Sequence, residues 1–277
     1  MPGADSLHGK LAVVTGAASG LGRAMALAFA REGMQLALAD VDDAGLSSTQ
    51  KEIEALGAQA SAMQVDVSKA NDVDALCASL DAVHIVCNNA GVSPVGPVWE
   101  HSAAEWQWIL GVNLLGVING VRAFAPRLIA QNAGHIVNTA SVAGLIAPPG
   151  MGAYNVTKHA VVALSESLYH DLRERNSAVG VSVLCPAYVP TVIADPDRHR
   201  PAEARVAKSA ETLRIEAMLR KAVAAGRLSA EDVAQAVVAA IKEKRFYILT
   251  HPRIKGAIRA RMEDIVEERA PRNPLTL

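Results

Sequence analysis

With 277 residues, 51% of them hydrophobic, and a formal net charge of −1, the chain is long enough to bury one large core and carries no cationic excess. That balance argues against the basic patches that hold nucleic acids and anionic membranes, so neither is expected as a partner. Cys77, Cys87 and Cys185 lack paired or metal-ligand spacing and read as reduced core thiols, and the eight histidines show no metal spacing, so no metal site is expected.

In chain order, the apolar run Leu11–Val14 leads into Thr15-Gly16-Ala17-Ala18-Ser19-Gly20-Leu21-Gly22 and then into a helical stretch from Arg23 to Arg31. This is a strand, a glycine turn and a helix start. Gly16 lets the chain turn, while Gly20 and Gly22 remove side chains so that a pyrophosphate can reach the N–H groups of a helix N-terminus; Ser19 and Leu21 share that turn. A dinucleotide is the implied ligand. A second buried strand, Gln35 to Asp40, ends in a carboxylate 18 residues past Gly22 (40 − 22), placed to accept both adenosine ribose hydroxyls and to repel a 2′-phosphate. Val41 supplies no cation, so NAD is expected rather than NADP. Taken alone, Asp40 reads equally well as a turn or capping carboxylate before Asp42 and Asp43.

Further strands are expected over Gln59–Asp66, Val83–Asn88, His135–Thr139, Val179–Cys185 and Phe246–Thr250. Helices are expected over Asp42–Leu56, Asn71–Leu80, Ala103–Gln131, Ala153–Arg175 and Ala230–Lys242. The alternation predicts an α/β fold, a Rossmann-like doubly wound parallel sheet in a single domain spanning 1–277. Ligands then bind at the carboxyl ends of the strands, where Gly16, Asp40, Asp66, Asn89 and Ser141 fall. Pro190–Gly226 is too long and polar for a simple connection and is read as a helical lid, mobile until it orders over a bound cofactor. The helices after Ala103 and Ala153 carry more apolar residues than one sheet-facing stripe needs, which predicts a homo-oligomer, a tetramer or dimer. With no apolar run of about 20 residues and no signal-peptide pattern in Met1–Lys10, a soluble cytoplasmic protein is expected.

Together these residues carry a resemblance. The chain resembles the short-chain dehydrogenase/reductase family over nearly its whole length: Gly16–Gly22 matches the family's glycine motif, Asp66-Val67 its adenine contact and Asn88-Asn89-Ala90-Gly91 its central-strand motif, while Asn113, Ser141, Tyr154 and Lys158 match its catalytic tetrad. The resemblance implies that Lys158 also binds the nicotinamide ribose and that Asn113 holds a proton-relaying water. It extends the cofactor contacts to Val41, Asn89, Ala90, Gly91, Tyr154, Val189 and Thr191. One departure is Pro186-Ala187, where the family usually has Pro-Gly; alanine is tolerated there only at negative φ.

The chemistry also follows from the residues themselves. Tyr154 and Lys158 lie four apart on a predicted helix, so an ammonium neighbours a phenol; bringing that phenol from its usual pKa near 10 into the working range takes a shift of about 2–3 units, which Lys158 and a positive nicotinamide ring together are expected to supply. Tyr154 would then take the hydroxyl proton of a secondary alcohol, with Ser141 polarising the substrate oxygen. Considered alone, a Tyr-x-x-x-Lys pair is an amphipathic residue beside a solvated charge, Asn113 a helix-interior residue, and Asn88 and Asn89 ties between strands. Substrate contacts are expected from Ser141, Tyr154 and Tyr188, with walls from Val92–Val95, Leu145–Met151 and the lid. The mainly apolar lining, and a resemblance to members acting on aryl-bearing alcohols and ketones, point to a bulky apolar small-molecule alcohol or ketone. A steroid-like, other alicyclic or polyol substrate, a non-catalytic NAD-sensing binding protein, and an extended-family epimerase or dehydratase are the alternatives.

Overall fold

The computed structural model describes residues 6–276, so the Met1–Asp5 part of the N-terminal expectation lies outside the described residues. Seven parallel strands form one sheet in the order β3-β2-β1-β4-β5-β6-β7: β1 Leu11–Thr15, β2 Gln35–Asp40, β3 Ala60–Gln64, β4 Ile85–Asn88, β5 His135–Thr139, β6 Gly180–Leu184 and β7 Tyr247–Ile248. β1 pairs with β2 (Val13 opposite Ala37) and with β4 (Val13 opposite Val86), so the winding direction reverses between β1 and β4. A crevice for ligands opens at such a reversal, outside the carboxyl ends of the strands. The outer strands β3 and β7 are shorter than the sequence pattern predicts.

Strands buried on both faces need apolar cover on both sides. On one face, helix α1 (Gly20–Arg31) packs Met25 and Phe29 with Val233 and Val237 of helix α8 (Ala230–Lys242). On the other, helix α3 (Ala70–Ala78), helix α5 (Gly116–Ala130) and helix α6 (Gly152–Glu174) bring Val73, Phe124, Leu128 and Leu172 against Val86 and Ile136. Helix α2 (Asp43–Ala55) buries only Leu46, Thr49 and Ile53, as its sparse apolar spacing requires.

The helix expected over Ala103–Gln131 is interrupted. Helix α4 (Ala103–Leu110) passes through a wider π-helical stretch, Gly111–Leu115, before α5 begins. That widening centres on Asn113, which is fully buried, and such insertions frequently mark functional positions. The continuous segment Ala103–Ala130 is, by length and mean hydropathy (1.4 over its best window), apolar enough to cross a membrane, contrary to the sequence expectation; half of that window is buried within the fold. Its apolarity serves the sheet, since Ile109, Val117, Phe124 and Leu128 are core residues.

The expected lid contains three short 3-10 turns, Val192–Ala194, Pro196–His199 and Ala202–Ala204, followed by helix α7 (Ala210–Ala224). A further helix, α9 (Ile254–Val266), follows β7 and was not foreseen. Cys77, Cys87 and Cys185 are buried free thiols.

Candidate active site

A cavity of about 790 Å³ runs along the carboxyl ends of the strands. It is lined by Gly16, Ser19, Gly20, Leu21, Asp40, Val41, Asp66 and Val67 at one end, and by Ser141, Tyr154, Lys158, Tyr188, Val189 and Thr191 toward the other, with Asn89, Ala90 and Gly91 between. All the predicted site residues therefore border one space except Gly22 and Asn113.

Gly16 has φ +68, and a Cβ there would stand 2.8 Å from Ala90 Cα. Gly22 does a different job from the one expected. Its absent Cβ would lie 2.0 Å from the Gly16 carbonyl oxygen, so it permits helix α1 to seat against the turn and does not itself face a ligand. Gly20, at φ +53, faces Thr191 across the cavity, and a Cβ there would stand 3.3 Å from the Thr191 Cβ, a tight contact. Ser19 precedes helix α1 without its side chain capping the helix. The first-turn N–H groups of α1 and the Ser19 hydroxyl are thus left to the cavity, the donor set a diphosphate takes at a helix N-terminus.

Asp40 leaves both readings open. One carboxylate oxygen accepts the Ala18 N–H at 3.0 Å and the other the Asp42 N–H at 3.1 Å, which fixes the turn. Each oxygen keeps a second lone pair for a ribose hydroxyl, since a carboxylate offers about four acceptor sites. Thr15, overlooked in the sequence, joins this end to the centre: its Oγ1 accepts the Asn89 and Ala90 N–H groups at 2.9 and 3.1 Å. Asn89 Nδ2 returns a bond to Thr15 O at 3.1 Å. Asn88 is structural, donating to Asn138 Oδ1 at 2.9 Å within the sheet.

Asn113 is tied into the fold through its side chain. Its Oδ1 accepts the Val92 N–H and its Nδ2 donates to Val92 O, both at 2.8 Å, with a further bond from Nδ2 to Thr157 Oγ1 at 3.2 Å. These bonds hold the loop after Gly91 to helix α6 through Asn113.

Ser141 follows β5, its Oγ accepting the Ala143 N–H at 3.1 Å and donating to Pro186 O at 3.3 Å. Tyr154 and Lys158 project from the first two turns of α6, with Lys158 Nζ 5.5 Å from the Tyr154 ring centroid and donating to Thr139 O at 2.8 Å. In the unliganded protein burial dominates the electrostatics of this pair. Burial pushes the Tyr154 phenol up to about 12 despite the opposing Ser141 hydroxyl, and burial brings Lys158 down to about 8. Both charged forms are disfavoured because the two side chains are buried, so the shift expected of the ammonium and a nicotinamide ring together is not supplied by the ammonium alone.

At Pro186-Ala187 the backbone shows no strain, since Ala187 is not among the residues with positive φ. Its N–H donates to His251 Nδ1 at 3.2 Å. His251, after β7, thereby braces the segment leading to Val189 and Thr191. No sequence signal pointed to it, because it lies 64 residues from its partner. Trp108, Leu219, Val223, Ile254, Pro274 and Leu275 also border the cavity and were not foreseen.

The sequence profile of the family described as short chain dehydrogenase matches residues 10–202. A short chain dehydrogenase/reductase from Burkholderia phymatum, solved in complex with NAD, is 50% identical, with a TM-score of 0.95 over 98% of this chain and 99% of that one. The 1-deoxy-11-beta-hydroxypentalenate dehydrogenase of Streptomyces exfoliatus is 34% identical over 94% of this chain and 89% of its own length. A metagenomic short-chain oxidoreductase in complex with NADP is 28% identical, with a TM-score of 0.70 over 88% of this chain and 98% of that one. With the glycine turn, the reversed sheet and the Ser141-Tyr154-Lys158 cluster in one cavity, these matches have one reading: the chain is an oxidoreductase of the short-chain dehydrogenase/reductase family.

Proposed function

We propose that this enzyme interconverts a secondary alcohol and its ketone with NAD as cofactor, on a bulky apolar substrate. The observation that carries the reading is the joining of two chemistries in one cavity: Asp40 and the uncapped start of α1 at one end, Ser141, Tyr154 and Lys158 at the other. The NAD complex of the Burkholderia relative supports the cofactor choice, and the dehydrogenase relative from Streptomyces supports the reaction class.

A bound nicotinamide supplies the hydride acceptor for oxidation and the donor for reduction. Tyr154 holds the proton that the alcohol loses or the ketone gains, and its position beside Ser141 fixes where that oxygen must sit. Ser141 donates to the substrate oxygen once its bond to Pro186 O, at 3.3 Å a long one, is exchanged for the substrate. Lys158, anchored on Thr139 O, lies over the Tyr154 ring and would hold the nicotinamide ribose of a bound cofactor. Burial holds Tyr154 protonated in the free protein, and a cationic nicotinamide bound beside it would favour its anion. The apolar lining by Val92, Ile146, Leu219 and Val223 excludes water from the reacting atoms and suits an aryl or alicyclic group.

The test is Tyr154→Phe, which keeps the ring and deletes the hydroxyl. NADH is expected to bind as before while turnover falls by about 10²–10⁴, the usual worth of a positioned acid–base group. Near-normal turnover on the best alcohol would refute the mechanism, and a kcat/KM as high with NADP as with NAD would refute the cofactor assignment.

A further inference from the structure

The lid segment alternates in direction. Asp195, Pro196, Arg198, His199, Pro201 and Glu203 border the main cavity, whereas Arg200 borders a small polar recess behind it and is only 5% exposed. Arg200 Nη1 donates to Glu105 of helix α4, and its Nε donates to Asp197 Oδ1 at 2.6 Å. The guanidinium carbon lies 5.2 Å from the centroid of the Trp108 ring, within reach of a cation–π interaction. Around this centre His101 Nδ1 meets Glu105 Oε2 at 2.8 Å, and Lys208 Nζ bridges Asp197 at 2.7 Å and Glu216 at 2.6 Å.

An ion pair this deeply buried, with side chains 4% and 5% exposed, is a poor way to gain stability, because desolvation offsets its Coulomb energy and an apolar pair of equal volume does as well. What a guanidinium adds is direction, since its planar fork fixes several partners at once. One partner, and Arg200's own neighbours in the chain, lead straight to the cavity. Trp108, with Ala104 and Gln107 on the same helix, forms part of its wall, and Arg200 is flanked in the chain by His199 and Pro201, which form another part.

We propose that Arg200 is a positioning residue for the reaction: it ties the segment from Asp195 to Glu203 to helix α4 through Glu105 and fixes the Trp108 ring, so the substrate-side wall is set before any ligand arrives. The lid is then clamped at this point in the free protein, where the sequence reading expects it to order only over bound cofactor. The proposal rests on the dehydrogenase reading for its kinetic consequence but not for its structural one.

Both are measured in Arg200→Lys, which keeps the charge and loses the fork, in Arg200→Met, and in the Arg200→Met/Glu105→Leu double variant. Without any ligand, trypsin is expected to cut after Arg198 and Arg205 about tenfold faster in Arg200→Lys and Arg200→Met than in the parent, because cleavage follows the open population. With 1-phenylethanol, KM is expected to rise about tenfold, equivalent to about 1.4 kcal/mol, with kcat and the NADH Kd nearly unchanged. The double variant is expected to recover the parent's Tm while keeping the raised KM. Equal trypsin rates in parent and single variants, or a KM that returns to the parent value together with Tm in the double variant, overturns the proposal. If the parent oxidises neither 1-phenylethanol nor 2-propanol, the dehydrogenase reading is at fault, and the ligand-free trypsin rates still decide the clamp. Should Arg200→Met fail to fold, Arg200→Lys carries both measurements.

Discussion

The two ends of the cavity are built by different means. At the glycine-turn end, the wall is formed by Gly16, Ser19, Gly20 and Leu21 of one contiguous strand–turn–helix unit, with Asp40 on the neighbouring strand. At the substrate end, side chains come from α4, α7, α9 and the loops after β4 and β6, with Trp108, Tyr188, Leu219, Ile254 and Leu275 contributed from positions up to 167 residues apart (275 − 108). A dinucleotide is recognised by groups every residue carries, so its site needs only a backbone path and one carboxylate. A substrate is recognised by shape, and shape is made by whichever side chains the fold brings together.

The comparison breaks or sharpens on substitutions at each kind of wall. The largest effect is expected from Gly22→Ala, whose methyl would lie 2.0 Å from a backbone carbonyl that cannot move without opening the turn. NADH affinity should fall by about 10² or more, a loss of at least about 2.7 kcal/mol, read by NADH fluorescence titration. Gly20→Ala meets only the Thr191 side chain at 3.3 Å, and its left-handed backbone should cost about 1–2 kcal/mol. Equal and small effects of the two would show that the turn is plastic and that the adenosine end is not backbone-defined.

A second effect belongs to the reacting centre. Burial holds Lys158 near 8 in the folded protein, below its ordinary 10.5. Between about pH 8 and 10.5 the unfolded chain binds more protons at this lysine than the folded one does, so the penalty present below pH 8 is relieved as pH rises through that window. Stability of the ligand-free enzyme should gain up to about 3 kcal/mol from this group, at about 1.36 kcal/mol per pKa unit, with Tyr154 opposing the gain above its ordinary pKa near 10. Urea unfolding at pH 8 and pH 10 should show the rise in the parent and in Asp40→Ala, and not in Lys158→Met. An identical slope in Lys158→Met would place the titrating group elsewhere.

The smallest effect is expected at Asp40. Removing its charge lifts the repulsion of a 2′-phosphate and deletes two acceptors for the ribose, so Asp40→Ala should narrow the preference for NAD over NADP by about tenfold, or about 1.4 kcal/mol. Because Asp40 also accepts the Ala18 and Asp42 N–H groups, Asp40→Asn is the companion: it keeps an acceptor for the turn while losing the charge. An unchanged cofactor ratio in both variants would mean that cofactor choice is made by another part of the wall.

What the sequence by itself determined follows from locality. The order of strands and helices, the glycine turn, Asp40 and the Tyr154-Lys158 pair are set by spacings of two to about twenty residues, over which backbone geometry is predictable from residue type. The widened helical turn that buries Asn113, the His251 brace on Ala187, the electrostatics of Tyr154 and the Arg200 clamp were decided only by tertiary structure. Each depends on a partner 19 to 95 residues away in the chain or on the exclusion of water from a cavity that no local pattern encloses. The burial that pushes Tyr154 upward in the unliganded protein is hidden from sequence for the same reason: a neighbouring charge can be read from sequence, but the dielectric around it exists only once the chain has closed over it.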